Sequence, residues 1–166
     1  LISKKNKKLT LNELNSICLL KDEEWKYGLY SQKKFFKKTS KKEDLCNFLY
    51  LNDKLIGFTI LRKRLYKKKN IKGNFLLLDS LVLKKKYRKE NFKNLLMNFN
   101  NEIIKLENKF GILFCNDKLS NFYKKYKWKK HIKKNVKVEG YNNIENIMCL
   151  DLKKNYKKIY LFVNQS

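Results

Sequence analysis

The stretch from Phe75 to Cys115 constrains the fold of this chain more than any other part of it. Phe75 to Leu83 is apolar except for Asp79 and Ser80, the composition of a strand buried on both faces. After a polar turn, Phe92, Leu95, Leu96, Phe99, Ile103 and Leu106 recur at spacings of three and four, with Lys, Asn and Glu between them. That stripe predicts an amphipathic helix with one face packed on a sheet. Phe110 to Cys115 then supplies a short apolar strand. Strand, helix and strand form a βαβ unit, with a right-handed crossover expected.

The flanking segments extend the pattern. Thr10-Leu11-Asn12-Glu13 has capping-box spacing, and Leu11, Leu14, Ile17 and Cys18 follow at helical intervals, so a first helix begins near residue 10. Glu23 to Lys38 carries Trp25, Leu29, Phe35 and Phe36 among lysines and predicts a second, less regular helix, its pattern weakened by Gly28. Phe48 to Leu51 and Leu55 to Leu61, joined by Asn52-Asp53-Lys54, read as a hairpin, and Lys67 to Gly73 as a polar connection. Beyond Cys115, Asn116 or Asp117 can cap a short helix through Trp128 with Leu119, Phe122, Tyr123 and Tyr126 at helical spacing. Two last strands are expected near His131–Val138 and Ile147–Leu152. The 166 residues fit one domain, placed at 1–152. Residues 153–166 form an extension whose run Ile159-Tyr160-Leu161-Phe162-Val163 could add an edge strand, cover an acceptor site or pair with another subunit. The oligomeric state is left open.

Lys+Arg number 41 against 15 Asp+Glu, a formal charge of +26, which by itself points to nucleic acid or an anionic membrane. The make-up of that charge weakens the inference. It comes from 38 lysines and only three arginines, beside 21 asparagines and no alanine or proline. The skew runs through every segment, as a preference for AT-rich codons would produce, and arginine, the better ligand for phosphates and bases, is nearly absent. Cys18, Cys46, Cys115 and Cys149 are widely separated, a pattern of reduced, buried thiols rather than of a metal pair or a disulfide framework. No metal site is expected. His131, the only histidine, sits in a lysine-rich strand without a ligand partner. No apolar run approaches the ~18 residues of a membrane span, and the lysine-rich start lacks a signal core. The expected location is intracellular, in the cytoplasm, or in an organelle if a targeting segment preceded Leu1.

The element order resembles that of the GNAT (general control non-repressed-related) N-acyltransferases, and two local motifs strengthen the likeness. Leu78-Asp79-Ser80-Leu81-Val82-Leu83-Lys84-Lys85-Lys86-Tyr87-Arg88 is similar to the family's fourth strand and the turn into its acyl-CoA-binding helix. Asn116-Asp117-Lys118-Leu119-Ser120-Asn121-Phe122-Tyr123-Lys124-Lys125-Tyr126-Lys127-Trp128 is similar to its second signature, N-x-x-A-x-x-F-Y-x-x-x-G-F. The likeness covers roughly residues 10 to 152 and implies an α/β (α+β) GNAT fold, with a mixed, mostly antiparallel twisted sheet flanked by about four helices. The sequence also departs from the pattern. The family turn R/Q-x-x-G-x-G/A is here Arg88-Lys89-Glu90-Asn91-Phe92-Lys93, and the glycine of the second signature is Lys127. Those glycines let backbone N–H groups approach the pyrophosphate at a helix N-terminus. Asn91 can adopt a left-handed conformation at modest cost, whereas Lys93 must swing aside to pair with phosphate or else block the site.

The resemblance implies transfer of an acetyl group from acetyl-CoA, as acyl donor, to a primary amine by direct attack. Tyr123 takes the position of a general acid that protonates the departing thiolate, and Asp79 that of a carboxylate accepting the amine proton. Backbone N–H groups of Leu81, Val82 and Leu83, at a bulge, would hold the pantetheine and the acyl carbonyl. Arg88, Lys89, Asn91, Phe92, Lys93 and Asn94 would hold the pyrophosphate, and Asn116 the CoA arm. Each has a plainer reading: Tyr123 as a core tyrosine, Asp79 as the partner of a lysine or the cap of a bulge, Asn116 as a helix cap. The +26 charge disfavours polyamine or histone-like acceptors and suits a small neutral amine, an acidic protein N-terminus or an aminoacyl-tRNA. The alternative is a catalytically inactive GNAT-fold module that binds RNA or a protein partner. Attachment to anionic membranes through lysines is a weaker third, since an amphipathic anchor is missing.

Overall fold

A computed structural model describes residues 1–140, 143–152 and 158–163. Among these, nine strands, mostly antiparallel, and four α-helices make a mixed α/β architecture. The chain falls into two compact units, Leu1–Arg62 with Leu78–Asn100, and Lys63–Leu77 with Asn101–Ser166.

The first unit contains β1 (Ile2–Lys5), α1 (Leu11–Trp25), α2 (Leu29–Thr39), β2 (Leu45–Leu51), β3 (Lys54–Lys68) as far as Arg62, β4 (Ile71–Leu83) from Leu78, and α3 (Phe92–Leu106) as far as Asn100. The capping box forms as the sequence predicts: Glu13 N–H donates to Thr10 Oγ1 at 3.2 Å and Thr10 N–H to Glu13 Oε2 at 2.9 Å. The β2–β3 hairpin closes through Asn52 and Asp53, with φ of 47° and 60°. Two left-handed residues give the turn a twist that matches the strands, and Asn and Asp tolerate that region best after glycine. Ile17, Cys18 and Leu20 of α1 pack with Phe36 of α2, Phe48 of β2, Phe58 and Ile60 of β3 and Val82 of β4. A buried polar knot fixes α3 to the hairpin: Asn47 Nδ2 and Thr59 Oγ1 donate to Asn100 Oδ1 at 2.8 and 2.9 Å, and Asn100 Nδ2 donates to the Leu96 carbonyl at 2.6 Å. Every member is satisfied, the condition under which a buried polar group is tolerated.

In the second unit β4 runs parallel to β5 (Gly111–Cys115), with Leu76 opposite Gly111 and Leu77 opposite Ile112, the pairing that a βαβ unit requires. β8 (Asn146–Leu150) lies antiparallel to β5 and to β6 (Lys129–His131), and β9 (Ile159–Phe162) pairs antiparallel with β3 and parallel with β7 (Val136–Val138). The apolar cluster joins Phe75, Leu77, Phe110, Ile112, Ile147 and Leu161. Gly111 is needed for space: a Cβ there would lie 2.7 Å from Trp128 Cη2 and 2.9 Å from Ile104 Cδ1. Asn101 holds the segment after α4 (Asp117–Lys124), donating to the Tyr126 carbonyl and accepting from Trp128 Nε1, both at 2.9 Å. Arg64, 2% exposed, donates to the Val163 and Lys63 carbonyls at 2.9 Å each.

Several expectations change. β1 was not foreseen, because only Ile2 marks it as apolar. α1 runs to Trp25 and the next helix begins at Leu29, with Gly28 (φ 81°) between them. Lys67–Gly73 is mostly strand, since β3 reaches Lys68 and β4 starts at Ile71. Exposed lysines on that arm hid the hairpin. The fourth helix ends at Lys124 rather than Trp128, and Lys127 at φ 69° takes the left-handed conformation that glycine would take at no cost. The strand expected over His131–Val138 breaks into β6 and β7 around a 3-10 turn at Lys133–Asn135. Of the extension, residues 153–157 and 164–166 lie outside the described residues. Among the described residues no helix is long and apolar enough to cross a membrane.

Candidate active site

In the first unit, α1, α2 and Asp79–Ser80 of β4 line a cavity of about 510 Å³. Its position follows from the helix spacing. Lys21 falls on the same face of α1 as Ile17 and Cys18, and Gln32 lies one turn before Phe36 on α2, so a charged and a polar side chain are turned inward among aromatics.

Lys21 is only 3% exposed. Its Nζ donates to Ser80 Oγ at 3.3 Å and lies 5.6, 5.4 and 5.9 Å from the ring centroids of Trp25, Phe35 and Phe36, within cation–π range. Burial pulls its pKa below the usual lysine value; the Asp79 charge opposes that shift and Arg62 adds to it. Gln32, also 3% exposed, has a buried Nε2 without a hydrogen-bond partner. Trp25, Tyr27 and Phe35 supply aromatic wall.

Asp79 is paired, but with arginine rather than lysine. Arg62 Nε donates to Asp79 Oδ2 at 2.7 Å and Nη1 to the Thr39 carbonyl at 2.7 Å, while Asp44 Oδ2 lies 3.8 Å from Nη1. A planar fork can serve a carboxylate and a carbonyl at once, which a lysine ammonium does with less order. Arg62 is 4% and Asp79 40% exposed at the side chain. Beside it Ser80 has φ 58°, a left-handed residue inside a strand and the kind of backbone feature that accompanies a bulge. Leu81 is half-buried, whereas Val82 and Leu83 are buried in two different clusters.

The turn into α3 uses its polar side chains internally. Arg88 Nε donates to the Leu83 carbonyl at 3.2 Å, and Nη2 pairs with the Glu24 carboxylate. Asn94 Nδ2 donates to Asn91 Oδ1, and the Asn91 carbonyl accepts from Asn94 N–H at 3.0 Å. Among the described residues of positive φ, Asn91 does not appear, so the turn is made without a left-handed residue there. The Phe92 ring meets Tyr87 edge-on at 5.6 Å. Lys89 and Lys93 are exposed at the start of a helix of 15 residues, whose N-terminal dipole favours anions. Lys93 therefore points to solvent rather than filling the turn.

Tyr123 and Asn116 belong to the second unit. Tyr123 is 9% exposed, its ring edge-on to Phe122 at 5.0 Å. Asn116 is the N-cap of α4, Oδ1 accepting from Leu119 N–H at 3.1 Å. Cys46 and Cys149 are buried thiols pushed up to about 12 by desolvation, while Cys115 is half-buried. Among the described residues no cluster of three or more His, Cys, Asp or Glu could hold a metal. Reading the sequence missed Lys21, Gln32 and Arg62. The available signal was a polar residue recurring at core spacing on α1 and α2.

No protein-family model matches this sequence, and no curated protein matches it. Solved structures do. An aminoglycoside 6'-N-acetyltransferase complexed with coenzyme A is 14% identical, with 90% of this chain and 96% of that one covered at a TM-score of 0.64. An acyl-CoA N-acyltransferase from Pseudomonas aeruginosa is 16% identical, covering 89% and 97%, also at 0.64. A protein from Desulfovibrio desulfuricans assigned to the GNAT family is 8% identical, covering 90% and 97%, at 0.62. The chain has the fold of these proteins.

Proposed function

We propose that the protein is an acyl-CoA-dependent N-acyltransferase that moves an acetyl group from acetyl-CoA to a primary amine. The observation that carries this is the fold shared with acyltransferases over 89–90% of the chain, joined to an aromatic cavity that ends on Asp79 and Ser80. The first turn of α3 with Lys89 and Lys93 receives the pyrophosphate, where the positive end of the helix dipole and basic side chains favour an anion. Arg88 joins it only by leaving Glu24. Backbone N–H groups of Leu81 to Leu83 bond the pantetheine and the thioester carbonyl, and Asn116 steadies the arm. Asp79 accepts a proton from the incoming ammonium, and Tyr123 protonates the thiolate.

Calorimetric titration with acetyl-CoA, and with desulfo-CoA as a check on the pantetheine arm, tests the first step. Micromolar binding is expected. Tyr123→Phe should then lower kcat for thiol release while leaving acetyl-CoA affinity unchanged. No binding up to ~1 mM by folded protein would refute the proposal. It would favour the inactive module, whose affinity for RNA should fall steeply with salt.

A further inference from the structure

We propose that the acceptor is an amine that also bears a carboxylate and an aromatic or similarly large apolar side chain, a free amino acid of the phenylalanine kind. This deepens the acyl-transfer reading and rests on it. The cavity wall holds a cation with one hydrogen-bond acceptor and an amide donor with none, and a simple amine would serve neither. Lys21 Nζ gives one hydrogen bond to Ser80 Oγ and otherwise faces π-systems. Among the described residues no carboxylate lies within ion-pair distance of it. Gln32 lines the same cavity, and its buried Nε2 has no hydrogen-bond partner. A cation and an amide donor in one desolvated wall call for an anionic oxygen ligand, since buried donors left unpaired are costly.

The rest of the cavity narrows the class. Asp79, 40% exposed at its side chain, offers the opposite charge on the same wall and suits an ammonium. Trp25, Tyr27 and Phe35 provide apolar surface for a side chain of ring size. The volume of about 510 Å³ admits such a molecule and lies within the usual range for small-ligand sites. A polycationic acceptor would meet the Lys21 charge instead of pairing with it.

The chemistry balances as follows. The ammonium loses one proton to Asp79 and then to solvent. The nitrogen attacks the thioester carbon, the C–N bond forms and the C–S bond breaks. Tyr123 gives its proton to the departing thiolate and regains one as the nitrogen sheds its second proton, leaving an N-acetylamino acid and the CoA thiol.

The test compares L-phenylalanine with phenethylamine, which lacks only the carboxylate, and with 3-phenylpropanoate, which lacks the amine. It uses thiol release with acetyl-CoA and calorimetry without it. Wild-type kcat/KM should favour phenylalanine by about tenfold or more, the value of one charge-assisted hydrogen bond. 3-Phenylpropanoate should bind. Lys21→Met should bring the ratio towards one without changing acetyl-CoA affinity, and Gln32→Leu should do so in part, covering the case in which Lys21→Met fails to fold. Phenethylamine acetylated as fast as phenylalanine would overturn the acceptor class and keep the transfer reading. Lys21-dependent binding of phenylalanine without thiol release would overturn the transfer reading and keep the ligand class. Binding of none of the three would overturn the inference.

Discussion

Asp79→Ala removes the carboxylate that meets Arg62 Nε at 2.7 Å. The magnitude follows from the burial on each side. A charge-assisted hydrogen bond is worth about 1.5–3 kcal/mol, and stripping one partner from a fully buried pair costs about 3–5. Asp79 is 40% exposed at its side chain, so solvent screens part of the pair. Asp44 remains 3.8 Å from Arg62 Nη1 as a second counter-charge. About 2 kcal/mol is therefore expected, or roughly 4–8 °C in Tm for a chain of this size. Asp79→Asn keeps an oxygen for Arg62 Nε and should cost about half as much. Urea and thermal melts of Asp79→Ala, Arg62→Met and the double variant close a cycle with an expected coupling of about 1.5–2.5 kcal/mol. Arg62→Met alone should be the more costly single change, because it also removes the counter-charge 3.8 Å from the buried Asp44 carboxylate and one donor to the Thr39 carbonyl. Coupling below about 0.5 kcal/mol would refute the claim that this pair holds Asp79 in place. The same melts separate roles: a loss of acetyl transfer in folded Asp79→Asn well beyond its stability cost belongs to chemistry.

Lys127→Gly should stabilise the protein by about 0.5–1 kcal/mol in thermal melts, since Lys127 sits at φ 69° where a Cβ is penalised; a loss of stability would mean the lysine side chain holds something there. Gly111→Ala should cost about 1–3 kcal/mol by urea denaturation, because the added methyl meets Trp128 and Ile104 below 3 Å, and an unchanged midpoint would show that Trp128 can give way. The buried thiols predict alkaline destabilisation. Folded Cys46 and Cys149 keep their protons to about 12 while unfolded thiols release them from about 9, so their contribution is intact below pH 9 and is lost as pH rises towards 12. Each thiol adds up to about 1.4 kcal/mol per pH unit to that slope, and stability measured from pH 8 to 10.5 should flatten in Cys46→Ala and Cys149→Ala; an unchanged slope would refute this.

The parts of the fold that the sequence announced are those whose pattern is set locally. The α3 stripe and the two apolar runs beside it give the βαβ unit, and Asn52-Asp53 names its own turn. What stayed hidden depends on partners distant in the chain. Lys67, Lys68 and Lys72 are polar because that hairpin arm faces water, so they imitate a loop. β1 has too few apolar residues to announce itself and forms because the edge of β2 accepts it, Ile2 lying opposite Phe48. Within the site, Asp79 was visible as an anomaly in an apolar run, but its partner comes from the neighbouring strand, 17 residues earlier. Lys21 and Gln32 stand at core spacing on two helices. Only the packing of those helices with β4 makes them walls of one cavity.

The three arginines divide the molecule's positive charge into two populations. Arg62, Arg64 and Arg88 are each bound along the guanidinium edge by carbonyls or carboxylates. Arg62 and Arg64 are buried clamps with little solvent around them and are barely screened, whereas the Arg88–Glu24 pair is 40% and 36% exposed at the side chains. Lysine supplies 38 of the 41 basic residues, and the long-range field of exposed ammonium groups collapses as the Debye length shrinks with added salt. Raising ionic strength should therefore strip away the molecule's attraction for anions at a distance while leaving its buried guanidinium contacts in place, so that salt slows the arrival of an anion without loosening the architecture.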